Sequence, residues 1–474
     1  MLIFFINGYL TVTLTPENIH TSDTDLYTYN MSFLSEASQD TLITLQLQDI
    51  NNNTISQDLI VDSRATAFNI DVTDFAYKYN WQDSSYNKIT YKVLDSHQNI
   101  LYTGSFPIIT PTHNQSLKIA AVSCNNNQNS YDLNDYNYKY ANSSLNMWDK
   151  LNNKKVDIIF HLGNQIYADY IVSHIGYKNN NCNIQEIYDA YANLYRTAYS
   201  EKYQGETMRN SLNIMILGEH DIAPNFGTLT DKEDLYFKAF YLMGMKAFAE
   251  YQMFETNQNK IDNILKGDYK LYFNINYGQY TFIGLDSRYE LYNNKTLFSP
   301  EQINFVNNNI AKTLNTKIYL LSSRPIGDLN EYNALISNST EDLFHTFNIN
   351  FTLRLLNNLD YINQDRSKDI ILLSGGVEKT YTNYILINNN VLLSQLVVGS
   401  ITRKPLIEYN MFEKIKKYIQ HKFTFFCEDN IIISDKENYY TSNSLGYIIN
   451  NIMFSLVDGT NIVKETNNCF MNYN

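Results

Sequence analysis

The sequence predicts an α/β protein, with layered mixed sheets flanked by helices and a small all-β sandwich in front. Residues 1–113 carry short runs that alternate apolar and polar side chains, such as 42–47 and 89–94, each followed by a polar turn. That is the pattern of half-buried strands. From about residue 117 the pattern changes to apolar strands separated by stretches of helical periodicity, as in layered α/β domains. The chain has 474 residues, 44% hydrophobic and 18% charged. That is length for two to three domains at about 150 residues each, and too apolar for a disordered chain.

Three regions follow: 1–113 as an Ig- or fibronectin-like β-sandwich, 117–405 as the α/β domain, and 406–474 as a C-terminal extension packed on that core. Pro107, Pro111 and the polar run 112–115 mark the linker between the first two. Strands are expected at 118–123, 156–161, 214–217, 279–285, 317–322 and 370–374. Helices are expected at 145–151 and around Ile187, Tyr191, Leu194, Tyr195 and Ala198, which share one helical face. Thr230 with Glu233 forms a capping box opening a helix to about Gln252, and Ser299-Pro300-Glu301-Gln302 forms another. The latter's helix is expected to bury Ile303, Val306, Ile310 and Leu314. Past Pro405, residues 408–421 read as a helix, and 430–434 and 446–455 as strands.

Composition narrows the function. With 36 Lys+Arg against 49 Asp+Glu the net charge is −13, which argues against general binding to a nucleic-acid backbone. No run of 18 apolar residues is present, so no membrane span is expected. The apolar run 1–6 lacks the basic leader and length of a signal peptide, so an intracellular location is expected. Cys124, Cys182, Cys427 and Cys469 are widely spaced and form no C-x-x-C pair, which suits thiols in a reducing compartment. Asn is the commonest polar residue and Tyr stands at 40. Asn, Ile, Tyr and Lys share AT-rich codons, so this excess reads as genome bias.

In open α/β sheets ligands bind beyond the carboxyl ends of the strands. The sequence places polar or glycine-bearing groups after five expected strands: Ser123-Cys124, the run 161–169, Gly218-Glu219-His220-Asp221, Asp286-Ser287-Arg288, and Ser374-Gly375-Gly376-Val377-Glu378. Loops on a rigid sheet arranged this way suit a metal or phosphate site.

The order and spacing of these blocks resemble the alkaline phosphatase D (PhoD-like) branch of the metallophosphoesterases over roughly residues 117–400. The resemblance rests on Ser123-Cys124, Met147-Trp148, the run His-Leu-Gly-Asn-Gln-Ile-Tyr-Ala-Asp at 161–169, the block Met215 through Asp221, Leu285 through Arg288, and Leu373 through Glu378. It implies a metallophosphoesterase-like fold and a phosphoric ester hydrolase of the phosphodiesterase or alkaline phosphatase type. Such chemistry uses two metal ions about 3.5–4 Å apart.

The departures fall on the chemistry. Asn164 stands where the family has a bridging Asp, Gly218-Glu219 replace an Asp pair, Gly376 replaces an Asp and Glu378 a His. Asn164, Gly218 and Gly376 are therefore degenerate ligand positions. The resemblance leaves Cys124, Tyr167, Glu219 and Glu378 as metal ligands, His220 and Asp221 as catalytic residues, and Asn225 and Arg324 as anion binders. That set suits at most one divalent or ferric ion, and none if the protein is a pseudoenzyme. A neutral amide and two absent side chains leave too little negative charge for two dications.

Each residue also has a plainer role. Cys124 is either a soft ligand or a buried strand-end thiol, Tyr167 either a ligand or a packing ring, and Glu219 and Glu378 either donors or exposed loop carboxylates. Arg288 is expected to form a structural bridge, for instance with Asp286, and His161 to be a core hydrogen-bonder. The expected function is a pseudoenzyme or binding or structural protein on this fold, with a protein partner. The alternative is an active hydrolase of a phosphate-ester small molecule.

Overall fold

A computed structural model describes residues 11–14, 30–35, 40–62, 65–72, 87–108, 117–125, 147–172, 183–224, 226–227, 235–255, 257–294, 296–326, 349–376, 380–388, 390–399, 401–402, 425–428, 431–433, 437–440, 444–449, 452–457 and 461–462. The N-terminal part holds β1 (Thr11–Leu14), β2 (Asn30–Ser35), β3 (Thr41–Gln48), β4 (Thr54–Val61), β5 (Thr66–Asp71), β6 (Asn87–Leu94) and β7 (Ile100–Ile108).

Strands and helices then alternate. β8 (Ile119–Val122), α1 (Trp148–Lys154), β9 (Ile158–Leu162), α2 (Ile184–Ser200), α3 (Lys202–Arg209), β10 (Leu212–Ile216), α4 (Leu235–Tyr251) and α5 (Gln258–Lys266) come first. β11 (Phe273–Tyr277), β12 (Tyr280–Gly284), α6 (Tyr289–Asn294), α7 (Pro300–Lys312), β13 (Lys317–Ser322), α8 (Ile349–Ile362), β14 (Asp369–Ser374), β15 (Thr380–Ile387) and β16 (Asn390–Val397) follow. The C-terminal part adds β17 (Phe425–Glu428), β18 (Ile431–Ile433), β19 (Glu437–Tyr440), β20 (Ser444–Ile449), β21 (Ile452–Val457) and β22 (Asn461–Ile462).

The described strands form two large sheets and one small one. The first runs β22-β21-β20-β8-β9-β10-β1-β2-β5, the second β11-β12-β13-β14-β16-β15-β18-β17 with β19 on β15, and the third β4-β3-β6-β7. In the first, β8, β9 and β10 are parallel neighbours; in the second, β12, β13, β14 and β16 are. Strands on both sides of residue 113 share the first sheet, because β1 pairs with β10 and continues through β2 to β5. The small sheet comes from the rest of the N-terminal part. At the other end β20 pairs with β8. The stretch expected as one strand at 446–455 is two antiparallel strands, β20 and β21.

The core lies between the two large sheets. Ile119, Ala121, Ile158, Phe160, Leu162 and Ile214 of the first meet Tyr277, Phe282, Tyr319, Leu321 and Leu373 of the second. Phe160 and Phe282 meet edge to face with centroids 5.0 Å apart, a favoured aromatic geometry. The opposite faces carry helices. On α2, Ile187, Tyr191, Tyr195 and Ala198 are buried as the spacing predicts. On α7, Ile303, Val306 and Ile310 pack against Ile283, Ile318 and Leu320. Leu314 does not: α7 ends at Lys312, and Leu314 is 88% exposed.

Ser299 caps α7 by accepting the Gln302 N–H at 3.0 Å, and Pro300 opens the helix. The other half of the expected capping box is absent. The Gln302 side chain donates to Glu290 and to the Asp286 carbonyl instead, and the Ser299 N–H donates to Glu290. The Thr230–Glu233 box and the 408–421 helix lie outside the described residues.

This cluster carries a pH dependence. Asp286 is buried and accepts N–H bonds from Arg288, Tyr289 and Glu290 at 3.0, 2.8 and 3.1 Å, which caps α6. Burial, then the neighbouring Glu290 carboxylate, push it up to about 7 against those donors. The native state therefore keeps this proton longer than the unfolded chain. Its contribution to stability is full below about pH 4 and lost as pH rises to about 7. Denaturation curves at several pH values should show a shallower fall across that window for Asp286→Asn than for the unaltered protein. Parallel curves would contradict it.

Candidate functional site

The carboxyl ends of the parallel strands in both large sheets converge at one edge. The loops after β8, β9 and β10 come from one sheet, and those after β12, β13 and β14 from the other. Cys124, Gly163, Asn164 and Gly376 turn there in the left-handed region, with φ of 53°, 84°, 57° and 74°. Such conformations disfavour side-chain-bearing residues and gather at functional sites.

Asp221 organises the first sheet's loops. Its Oδ1 accepts the N–H groups of Gln165 and Ile166 at 2.6 and 3.1 Å, and its Oδ2 those of Gly218 and Asn164 at 2.8 and 3.1 Å. It is 0% exposed. Burial pushes it up to about 6, opposed by these donors. Asp221, expected as catalytic, holds four loop N–H groups through its two oxygens.

Glu219 is the meeting point of charge. Its Oε2 lies 2.6 Å from Arg288 Nη2 and 3.7 Å from Arg324 Nη2, and its Oε1 3.1 Å from His220 Nε2. Burial would raise its pKa, but Arg288, His220 and Arg324 outweigh it and hold the carboxyl well below the usual range. Arg288 thus bridges to Glu219, not Asp286, and its Nη1 donates to the Phe226 carbonyl at 3.2 Å. Asp286 meets the Arg288 backbone only.

His220 is held on both ring nitrogens, by Glu219 and, at Nδ1, by Asp169 at 2.9 Å. It stacks on Tyr167 with centroids 4.4 Å apart. Burial lowers its pKa, yet the bonds to Asp169 and Glu219 raise it overall to about 10. At neutral pH it is an imidazolium with two donors and no lone pair for a metal.

Asn164 is committed as well. Its Oδ1 accepts the His220 N–H at 3.1 Å, and its Nδ2 approaches Cys124 Sγ at 3.6 Å. Cys124 also receives Ser123 Oγ at 3.4 Å, and Ser123 Oγ in turn accepts the Gly376 N–H at 2.9 Å. Behind the loops, buried His161 bonds Gln165 and Asn213 at 2.8 and 3.0 Å, the core role expected of it.

The structure thus brings Cys124, Asn164, Tyr167, Gly218, Glu219, His220, Asp221, Arg324 and Gly376 to one edge. Asn225 and Glu378 lie outside the described residues. Sequence reasoning missed Asp169, although it closes the 161–169 run, and missed the Arg288–Glu219 pair, whose partners are far apart in the chain.

These residues do not fit a metal pair. The Glu219 oxygens face two guanidiniums and an imidazolium, and the Asn164 oxygen faces a backbone N–H. Among the described residues no group of three or more His, Cys, Asp or Glu is arranged to hold a metal ion. Nor is any described helix long and apolar enough to cross a membrane.

Comparison with known proteins gives the same frame. Residues 119–318 match the model of the PhoD-like phosphatase family. Among solved structures the chain is similar to one described as the structure of PhoD, at 14% identity and TM-score 0.64, over 95% of this chain and 85% of that one. A GH2 beta-galacturonidase from Eisenbergiella tayi bound to glycerol aligns at 9% identity and TM-score 0.25, over 78% of this chain and 56% of that one, too distant to carry an argument. No curated protein matches the sequence. Residues 119–318 are thus similar to the PhoD-like phosphatase family, and the mixed α/β fold is similar to that of PhoD.

Proposed function

We propose that this protein is a non-catalytic member of its family, a binding or structural protein whose loop tips are joined by ion pairs where the family's reaction uses metal ions. The observation that carries this reading is the Glu219 carboxylate, engaged by Arg288, Arg324 and His220 together. A carboxylate already neutralised by three cationic groups has little field left for a dication. The charge arithmetic points the same way, since Asn164 and Gly376 supply no carboxylate.

The competing reading is a metal-dependent hydrolase of phosphate esters. It draws on Cys124 and Tyr167, both buried at the loop tips, and on one metal ion polarising a phosphoryl oxygen. Metal analysis of the purified protein, with turnover of an aryl phosphate diester before and after a chelator, separates the two. The proposal expects neither a stoichiometric metal nor chelator-sensitive turnover. Two tightly bound equivalents with turnover abolished by the chelator would overturn it.

A further inference from the structure

Charge is one obstacle to a metal pair at these loops, and space is another. Gly218 and Gly376 stand at degenerate ligand positions, and both are packed against backbone. A Cβ on Gly218 would lie 2.1 Å from the Asn164 nitrogen and 2.2 Å from its Oδ1. A Cβ on Gly376 would lie 2.1 Å from the Ser323 carbonyl oxygen. At Gly163, between them, it would meet Ser323 Cβ at 2.8 Å and Gly218 Cα at 2.9 Å. Real Cβ contacts essentially never fall below 3.0 Å, and backbone neighbours cannot rotate aside as a flexible side chain can. Gly376 and Gly163 add positive φ, which L side chains avoid.

The Gly163–Ser323 contact joins the two sheets, whereas the Gly218–Asn164 and Gly376–Ser323 contacts each lie within one of them. Gly163, Asn164 and Gly218 follow β9 and β10 of the first; Ser323 and Gly376 follow β13 and β14 of the second. Ser123 Oγ, on the first sheet, accepts the Gly376 N–H, and a Cβ on Gly375 would lie 2.3 Å from the Leu162 carbonyl oxygen and 2.5 Å from Ser123 Oγ. We infer that these loop tips form a closed, metal-free clasp between the two sheets. Its glycine seam occupies the room that the lost carboxylates would need, so restoring them one by one does not rebuild a metal site. The inference rests on the proposed non-catalytic reading and adds a steric cause to it.

Three measurements test it. First, Gly163→Ala and Gly375→Ala add only a Cβ where the two sheets meet and should each lower Tm by about 5 °C or more; unchanged Tm values would overturn the clasp. Second, hydrogen exchange on the unaltered protein needs no variant to fold. The amides of Asn164, Gly218 and Gly376 should exchange as slowly as those of the adjoining strands, and exchange at loop-like rates would contradict closure. Third, Asn164→Asp and the pair Asn164→Asp/Gly376→Asp are titrated with Mn²⁺. No stoichiometric uptake is expected. Uptake by the double variant alone would sink this inference and leave the functional proposal standing, whereas two equivalents bound by the unaltered protein would sink that proposal.

Discussion

Glu219→Gln is expected to destabilise the protein by about 3–5 kcal/mol, the cost of breaking a buried ion pair from one side. Arg288 is 2% exposed and Arg324 6%. Once Glu219 loses its charge, two buried guanidiniums and an imidazolium keep theirs with one carboxylate fewer to face. The gain from forming such a pair is small, because desolvation offsets attraction, but stranding one partner is costly. The check is a denaturation midpoint at constant slope. Removing both partners of the closest pair, in Glu219→Gln/Arg288→Met, should cost less than the two single changes summed, with a coupling of about 1 kcal/mol or more. A loss under about 1 kcal/mol for Glu219→Gln would mean that the pair is a surface contact in effect.

Asp221→Ala should be the other severe change. It leaves four backbone N–H groups, those of Asn164, Gln165, Ile166 and Gly218, without their acceptor. At about 1–3 kcal/mol for each buried donor left unmade, the loss is expected at about 4 kcal/mol or more, with the 163–166 and 218–221 loops losing exchange protection first. Asp221→Asn keeps one acceptor oxygen and should lose less. A purely catalytic Asp221 predicts the opposite, that stability survives Asp221→Ala, and circular dichroism melts of the two variants decide between them.

Much of the α/β frame is legible in the sequence because its signals are local. The strands read at 317–322 and 370–374 appear as β13 and β14, since buried parallel strands are unbroken apolar runs. The helix face of α2 follows from spacing alone. Partnering is not local. β1 and β2 look like β3 and β6 as sequence, yet the first pair extends the large sheet and the second builds a separate one. Leu314 fits the α7 periodicity but falls beyond Lys312, where the chain has left the helix.

The site divides in the same way. Its loops are legible because the motif blocks follow strand ends. Asn164, Gly218 and Gly376 are legible as residues that carry no carboxylate. Their surroundings are not: the Glu219–Arg288 bridge and the Gly163–Ser323 contact join residues from different sheets, and no spacing rule connects them. Asp169 was within reach, since an acidic residue closing a loop that faces His220 is a natural partner for an imidazolium.

The central claim is that organic cations and close backbone contacts hold the loop tips where metals would. Diffraction at the manganese edge from crystals soaked in Mn²⁺ tests it most directly. The account predicts Arg288 seated on Glu219 and no anomalous peak among Cys124, Asn164, Glu219 and His220. Two peaks about 3.5–4 Å apart at that position, with Glu219 swung away from Arg288, would contradict it.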